Sequence, residues 1–149
     1  MDPHVELQDW WRRTNAGVMT AEIPDGRIAE FERRYELTLP DDFRTYLRLG
    51  SPVHEAWDAS NSSWWTFERI KNIPNEYPHD LGPGIEWRTS KYLFFADHAI
   101  WCWAWAISCA EDATRGNVVV IGGVHGHRVV AQTFSDFVAN YVKVWAAVS

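Results

Sequence analysis

In the second half of the chain, Trp101, Trp103, Trp105 and Ile107 occupy every second position, with Cys102, Ala104 and Ala106 between them. A period of two marks a β-strand, because successive side chains leave opposite faces, whereas a helix would scatter these indoles around its axis. The pattern predicts a strand over residues 99–109, with a largely covered tryptophan face and a small-residue face open to a close-packed helix. Apolar runs at residues 92–96, 118–121 and 127–131 predict further antiparallel strands. Asp97 and His98 read as turn material, residues 111–117 as a polar connection, and residues 122–126 as a glycine-rich hairpin turn.

Helical spacing dominates elsewhere. Val5, Leu7, Trp10 and Trp11 form an incomplete apolar stripe that reads as a short helix within an N-terminal extension of about twenty residues. Ile28, Phe31 and Tyr35 predict a helix capped by Asp25, and Phe43, Tyr46 and Leu47 predict a second helix that starts at Asp41 or Asp42 and is closed by Gly50. The elbow between them is residues 37–40. Thr66 reads as the cap of a short helix through Phe67 and Ile70. Thr133 caps the last helix, whose stripe is Phe134, Phe137, Val138, Tyr141, Trp145 and Val148. Residues 51–63 read as loop, and residues 72–90, rich in Pro and Gly, as a long irregular excursion of the kind that binds something or moves.

These elements predict an α+β fold: a mainly antiparallel sheet of four to six strands packed against N-terminal and C-terminal helices, with residues 1–149 forming a single domain. Composition fits a packed globule, with 46% hydrophobic and 23% charged residues. Ten Trp in so short a chain exceed what a silent core absorbs, so some are expected in a groove. A net charge of -6 argues against direct nucleic-acid binding or an anionic membrane surface and suits a basic protein partner. No basic segment followed by an apolar run opens the chain, and its longest apolar stretch, residues 99–107, is too short to span a bilayer. Cys102 and Cys109, about 23 Å apart on opposite faces of one strand, cannot pair, which fits a cytoplasmic, reducing location.

Candidate chemistry is sparse. His125 and His127, with Asp97 and His98 from another turn, imitate a metal site of a metal-dependent enzyme if the turns meet. Glu86 and Asp97 are a nominal acid pair for hydrolysis, and Cys102 is better read as a small hydrophobe than as a nucleophile. Gly122 and Gly123 precede a strand and are no phosphate loop. No catalytic residue and no cofactor is expected. An interaction surface is better motivated: Trp57, Asp58, Trp64, Trp65, Glu86 and Trp87 place aromatic anchors beside carboxylates in or next to loops. For Trp64 and Trp65, core packing is the equal alternative.

The segment with Phe31 and Glu32, then Leu39, Pro40, Asp41, Asp42 and Phe43, then Tyr46, Leu47 and Gly50, resembles the SMI1/KNR4 family of the SUKH superfamily. So do residues 92–98, the strand at 116–120, and Phe134, Ser135, Asp136 and Phe137. The departures are the tryptophan ladder and a helix end that reads Leu49, Gly50 where the family has Asn-Gly. The resemblance implies helices on a mainly antiparallel sheet and a non-catalytic protein-binding role. In bacterial members that role is an immunity protein neutralising a cognate toxin, and in fungal relatives a regulatory scaffold. It leaves the inhibitory surface open, since binding faces vary with the toxin, and the chain is expected as a monomer or weak dimer.

Overall fold

In the computed structural model, which describes residues 2–149, the helices near both ends of the chain pack on an antiparallel six-stranded sheet. Chain order is α1 (Pro3–Arg13), β1 (Thr20–Ala21), α2 (Asp25–Tyr35), α3 (Asp41–Gly50), β2 (Ser51–Pro52), β3 (Ser62–Trp64), β4 (Lys71–Asn72), α4 (Ile73–Glu76), β5 (Tyr92–His98), β6 (Trp103–Ser108), β7 (Val118–Gly123), β8 (Gly126–Ala131) and α5 (Phe134–Lys143). The sheet order is β3-β5-β6-β7-β8, with β4 also paired to β5, while β1 and β2 form a separate ribbon. The α+β architecture is the one the periodicities predict.

The helices follow their apolar stripes. Leu7 and Trp11 of α1, Phe43, Tyr46 and Leu47 of α3, and Phe134, Phe137 and Tyr141 of α5 are buried together. Thr133 caps α5 by accepting from the Asp136 N–H at 3.0 Å. Asp25, by contrast, does not cap α2: Pro24 holds that position, and the Asp25 carboxylate pairs with Arg48 at 2.6 Å. Nor does Thr66 cap through its side chain; Phe67–Arg69 is a single 3-10 turn. Gly50 ends α3 for a reason of space. A Cβ there would lie 2.5 Å from Gln8 Nε2 and 3.2 Å from His4 Cβ, so the glycine lets α1 pass close over α3. The stripe of α5 breaks at Val144, and the 3-10 turn Trp145–Ala147 returns Trp145 and Val148 to the core.

The elbow is held by polar ties. The Leu39 N–H donates to Glu32 Oε2 at 2.7 Å, and Arg115 Nη1 and Nη2 donate to the carbonyls of Thr38 and Leu39 at 3.0 and 3.1 Å. Asp42 Oδ2 accepts from the Ser135 N–H and O–H, both at 2.9 Å, and so joins α3 to the start of α5.

The tryptophan ladder is shorter than its alternation. β5 runs on through His98, where a turn was expected, and β6 begins only at Trp103. Between them Ala99, Ile100 and Trp101 are all left-handed, at φ 48°, 54° and 63°. That conformation costs a non-glycine residue about 1–2 kcal/mol, and hydrophobic periodicity carries no trace of it. Trp105 sits fully buried under α5, against Phe137 and Tyr141, and its indole N–H donates to the Val148 carbonyl at 2.7 Å. Trp103, half-buried, stacks on His98 at 4.2 Å. Trp101 leaves this face: it stacks on Tyr77 at 5.6 Å and meets Phe94 edge-on at 5.3 Å.

Pairing of β5 with β6 places Ala104 and Ala106 beside Asp97 and Phe94 on the opposite face of the sheet. The close-packed helix expected on that face is absent among the described residues, and only the single turn of α4 lies near it. Trp65 and Trp101 pack against Phe94, Tyr77 backs Trp101, and Trp87 stacks on Tyr92 at 5.7 Å. The excursion over residues 72–90 is therefore a cover for the sheet, built from rings that the small alanines leave room for.

Candidate functional site

Two turns meet at the end of β5. In the first, the Asn61 N–H donates to the Asp58 carbonyl at 3.0 Å, and Trp57 bridges to Ser63, which fixes Trp57 at the turn's edge. In the second, residues 99–102 close a hairpin through the Cys102 N–H to the His98 carbonyl at 2.8 Å, and the Trp101 N–H donates to Asp97 Oδ2 at 2.8 Å. The turns are joined by the Ala99 N–H donating to the Asn61 carbonyl at 2.9 Å. Ile100 stands 82% exposed at the hairpin tip and Trp57 is 38% exposed. With Asn61 and Ala99 they line an open cleft of about 450 Å³. An exposed β-branched residue held at positive φ is a local strain, of the kind that concentrates at functional positions.

A buried polar network supports this end. Asp58 accepts from the Ser60 and Ser62 N–H groups at 3.0 and 3.2 Å, from Trp64 Nε1 at 3.2 Å and from the Tyr141 hydroxyl. Burial raises its pKa above the ordinary carboxylate value, and those donors only partly offset the shift. Tyr141 is pushed well above its usual range by the same burial and by the neighbouring carboxylate. Asp97 accepts from Trp65 Nε1 at 2.7 Å, while Arg69 lies over the Trp65 ring at 4.0 Å. His98 bonds Ser62 Oγ at 3.0 Å, and burial lowers its pKa against the raising influence of Asp58 and Asp97.

The interaction residues read from sequence therefore divide. Trp57 is at the surface. Asp58, Trp64 and Trp65 are buried at 7%, 1% and 1% exposure, so they position the turn and fill the core rather than offering contact area. Glu86 is exposed and Trp87 half-buried, but Trp87 stacks at the Tyr92 end of β5, about 20 Å along the strand from Trp57. Ile100 was missed, because it fell inside the presumed strand. Of the ten Trp, Trp57 alone is exposed.

The alternative metal constellation of Asp97, His98, His125 and His127 does not assemble. Among the described residues no group of three or more His, Cys, Asp or Glu side chains is placed to hold a metal ion. His127 Nδ1 accepts from the Gly122 N–H at 2.8 Å, His125 is exposed at the β7–β8 tip, and Asp97 and His98 are engaged as above. Asp97 is likewise no partner for Glu86, since it is buried against Trp65 and Trp101 at the far end of β5. Cys102 lies exposed in the hairpin turn, outside the strand predicted for it. Cys109 is buried, with its thiol pushed up to about 12 by burial, and both cysteines are free. No helix among the described residues is long and apolar enough to cross a membrane.

The molecule is thus an antiparallel sheet flanked by helices, with an open cleft lined by Trp57, Asn61, Ala99 and Ile100 on two turns at one end. The model of the SMI1 / KNR4 family (SUKH-1) matches residues 22–140, and the chain belongs to that family. Membership supports a non-catalytic, protein-binding role. No curated protein matches the chain. The residues that carry the family pattern, Glu32, Leu39, Asp42 and Ser135 among them, are bound up in the elbow and the α3–α5 tie. The cleft lies outside that group.

Proposed function

We propose that this chain is an immunity-type protein that binds and neutralises a cognate toxin, and that it does so through the surface centred on Trp57 and Ile100. Family membership supports the protein-binding class. The observation that carries the surface is the exposed Ile100 on its left-handed turn beside the exposed Trp57. Aromatic and aliphatic anchors in a desolvated pocket supply most of the binding energy of such interfaces. The charge of -6 favours a basic partner and speeds its encounter.

The test is co-expression with the toxin-domain product of the adjacent reading frame, with growth rescue and co-purification as readouts. The wild-type chain is expected to rescue. Trp57→Ala and Ile100→Asp are expected to weaken binding by about 2 kcal/mol or more each while leaving the fold intact. Rescue by both variants would refute the surface, and absence of complex and rescue with the wild type would refute the toxin-neutralising role.

A further inference from the structure

The last strand of the sheet, β8, has six residues and pairs only with β7. Apart from that ladder, its hydrogen bonds are made by the side chains of His127 and Arg128, so its outer backbone edge is unpartnered among the described residues. At the opposite side of the sheet the edge strands β3 and β4 have only three and two residues. Natural sheets guard long edges with proline, charged side chains, bulges or a covering element. β8 has neither Pro nor Lys; its guards are the inward turn of Arg128 to the Ser149 carbonyl at 2.7 Å and two register shifts against β7, and neither covers the outer backbone. Val129 is 37% exposed.

α5 flanks this edge. Val129, Val130, Ala131, Asp136, Ala139 and Asn140 line an open groove of about 470 Å³ between strand and helix. Asp136, Ala139, Asn140 and Lys143 follow i, i+3, i+4, i+7 spacing and form one stripe of the helix, acidic at its start, small in the middle and basic at its end. The chain end rests on Arg128, so α5 runs back antiparallel to β8. A two-fold axis across the strand edge would therefore set Asp136 against Lys143 of a second copy, and Ala139 against its own counterpart. This charge pattern is complementary to itself.

We propose that two copies of this chain associate edge to edge through antiparallel β8 strands, extending the sheet across a two-fold axis with the α5 stripes facing each other. The arrangement is isologous and closes at two. A six-residue ladder alone falls short of the roughly 1,200 Å² of a standard interface, so the α5 flanks contribute and the dimer is weak and reversible. The charge of -6 on each copy opposes it, but screening confines that repulsion to about 8 Å at physiological salt.

Sedimentation velocity over a concentration series of the full chain is expected to show the mass rise from 17.3 kDa to twice that value. Amide exchange is expected to slow with concentration at β8. Ala139→Arg, at a half-buried position of the stripe, is expected to keep the chain monomeric while the chain stays folded. Asp136→Lys is expected to weaken association about tenfold, and Asp136→Lys with Lys143→Asp to recover most of it. A single-chain mass at every concentration overturns the proposal. So does a dimer that ignores these substitutions or protects amides away from β8. Either result leaves the Trp57 and Ile100 surface to its own test.

Discussion

Asp58 illustrates how adjacent residues in one turn take opposite roles. Its neighbour Trp57 faces solvent, while Asp58 is buried and collects two backbone donors, an indole and a phenol. Removing the acceptor strands those donors inside the protein, so Asp58→Ala is expected to cost about 3 kcal/mol, read as a lower urea midpoint. Trp57→Ala, at the surface, is expected to cost under about 1 kcal/mol. The raised pKa of Asp58 fixes the sign of its pH dependence. The folded carboxyl keeps its proton to higher pH than the unfolded one, so its contribution is complete below the ordinary value of 3.8 and declines as pH rises through the folded value. Asp58→Asn is accordingly expected to cost more stability at pH 4 than at pH 7, and an equal or larger cost at pH 7 would contradict the shift. Sequence placed both residues in a binding loop. It could not separate them, because burial of a turn carboxylate depends on Tyr141, 83 positions away.

At the scale of elements, the helices were legible because their stripes, prolines and the Thr133 cap are local signals. The errors lay where backbone conformation, rather than side-chain polarity, decides. Ala99, Ile100 and Trp101 continue the apolar alternation of β6 and yet form a left-handed turn, bound by Asp97 through the Trp101 N–H. Ile100→Gly relieves the positive φ and is expected to raise stability by about 1 kcal/mol in urea unfolding while weakening toxin binding, since the exposed apolar anchor is lost. A loss of stability would show that the turn is not strained. Gly50 ends α3 as the sequence predicts, and it also admits the close crossing of α1 over that end. Gly50→Ala is expected to destabilise by under about 1 kcal/mol, because Gln8 Nε2 ends a side chain that can swing aside and His4 Cβ must give only slightly, and adding Gln8→Ala is expected to recover part of the loss. Additive costs in that double variant would place the strain elsewhere.

At the scale of the molecule, the sheet has two covers of different kind. Helices α1, α3 and α5 lie over the Trp105 face, where the residues involved are almost wholly inaccessible. The Phe94 face is closed by rings borne on irregular chain: Trp65, Tyr77, Trp87 and the displaced Trp101. Periodicity reveals the first cover and is silent on the second, since residues 72–90 contain only one short helix and a 3-10 turn and carry no stripe. The two covers are expected to differ in cooperativity, because regions with fewer buried contacts open below the global free energy. Trp105→Ala empties a space enclosed on all sides and is expected to cost about 4 kcal/mol, lowering amide protection throughout β5, β6, β7 and α5 together. Trp101→Ala removes a half-buried ring held by Tyr77, Phe94 and the Glu76 carboxylate, which accepts from its indole N–H at 3.2 Å. Its expected cost is about 2 kcal/mol, with native-state exchange quickening over residues 72–91 and the 99–102 turn while α5 and β7 keep most of their protection. If Trp101→Ala instead lowered protection uniformly, the aromatic layer would be part of the same cooperative core as the helices, and the excursion would be no less essential to the fold than α5.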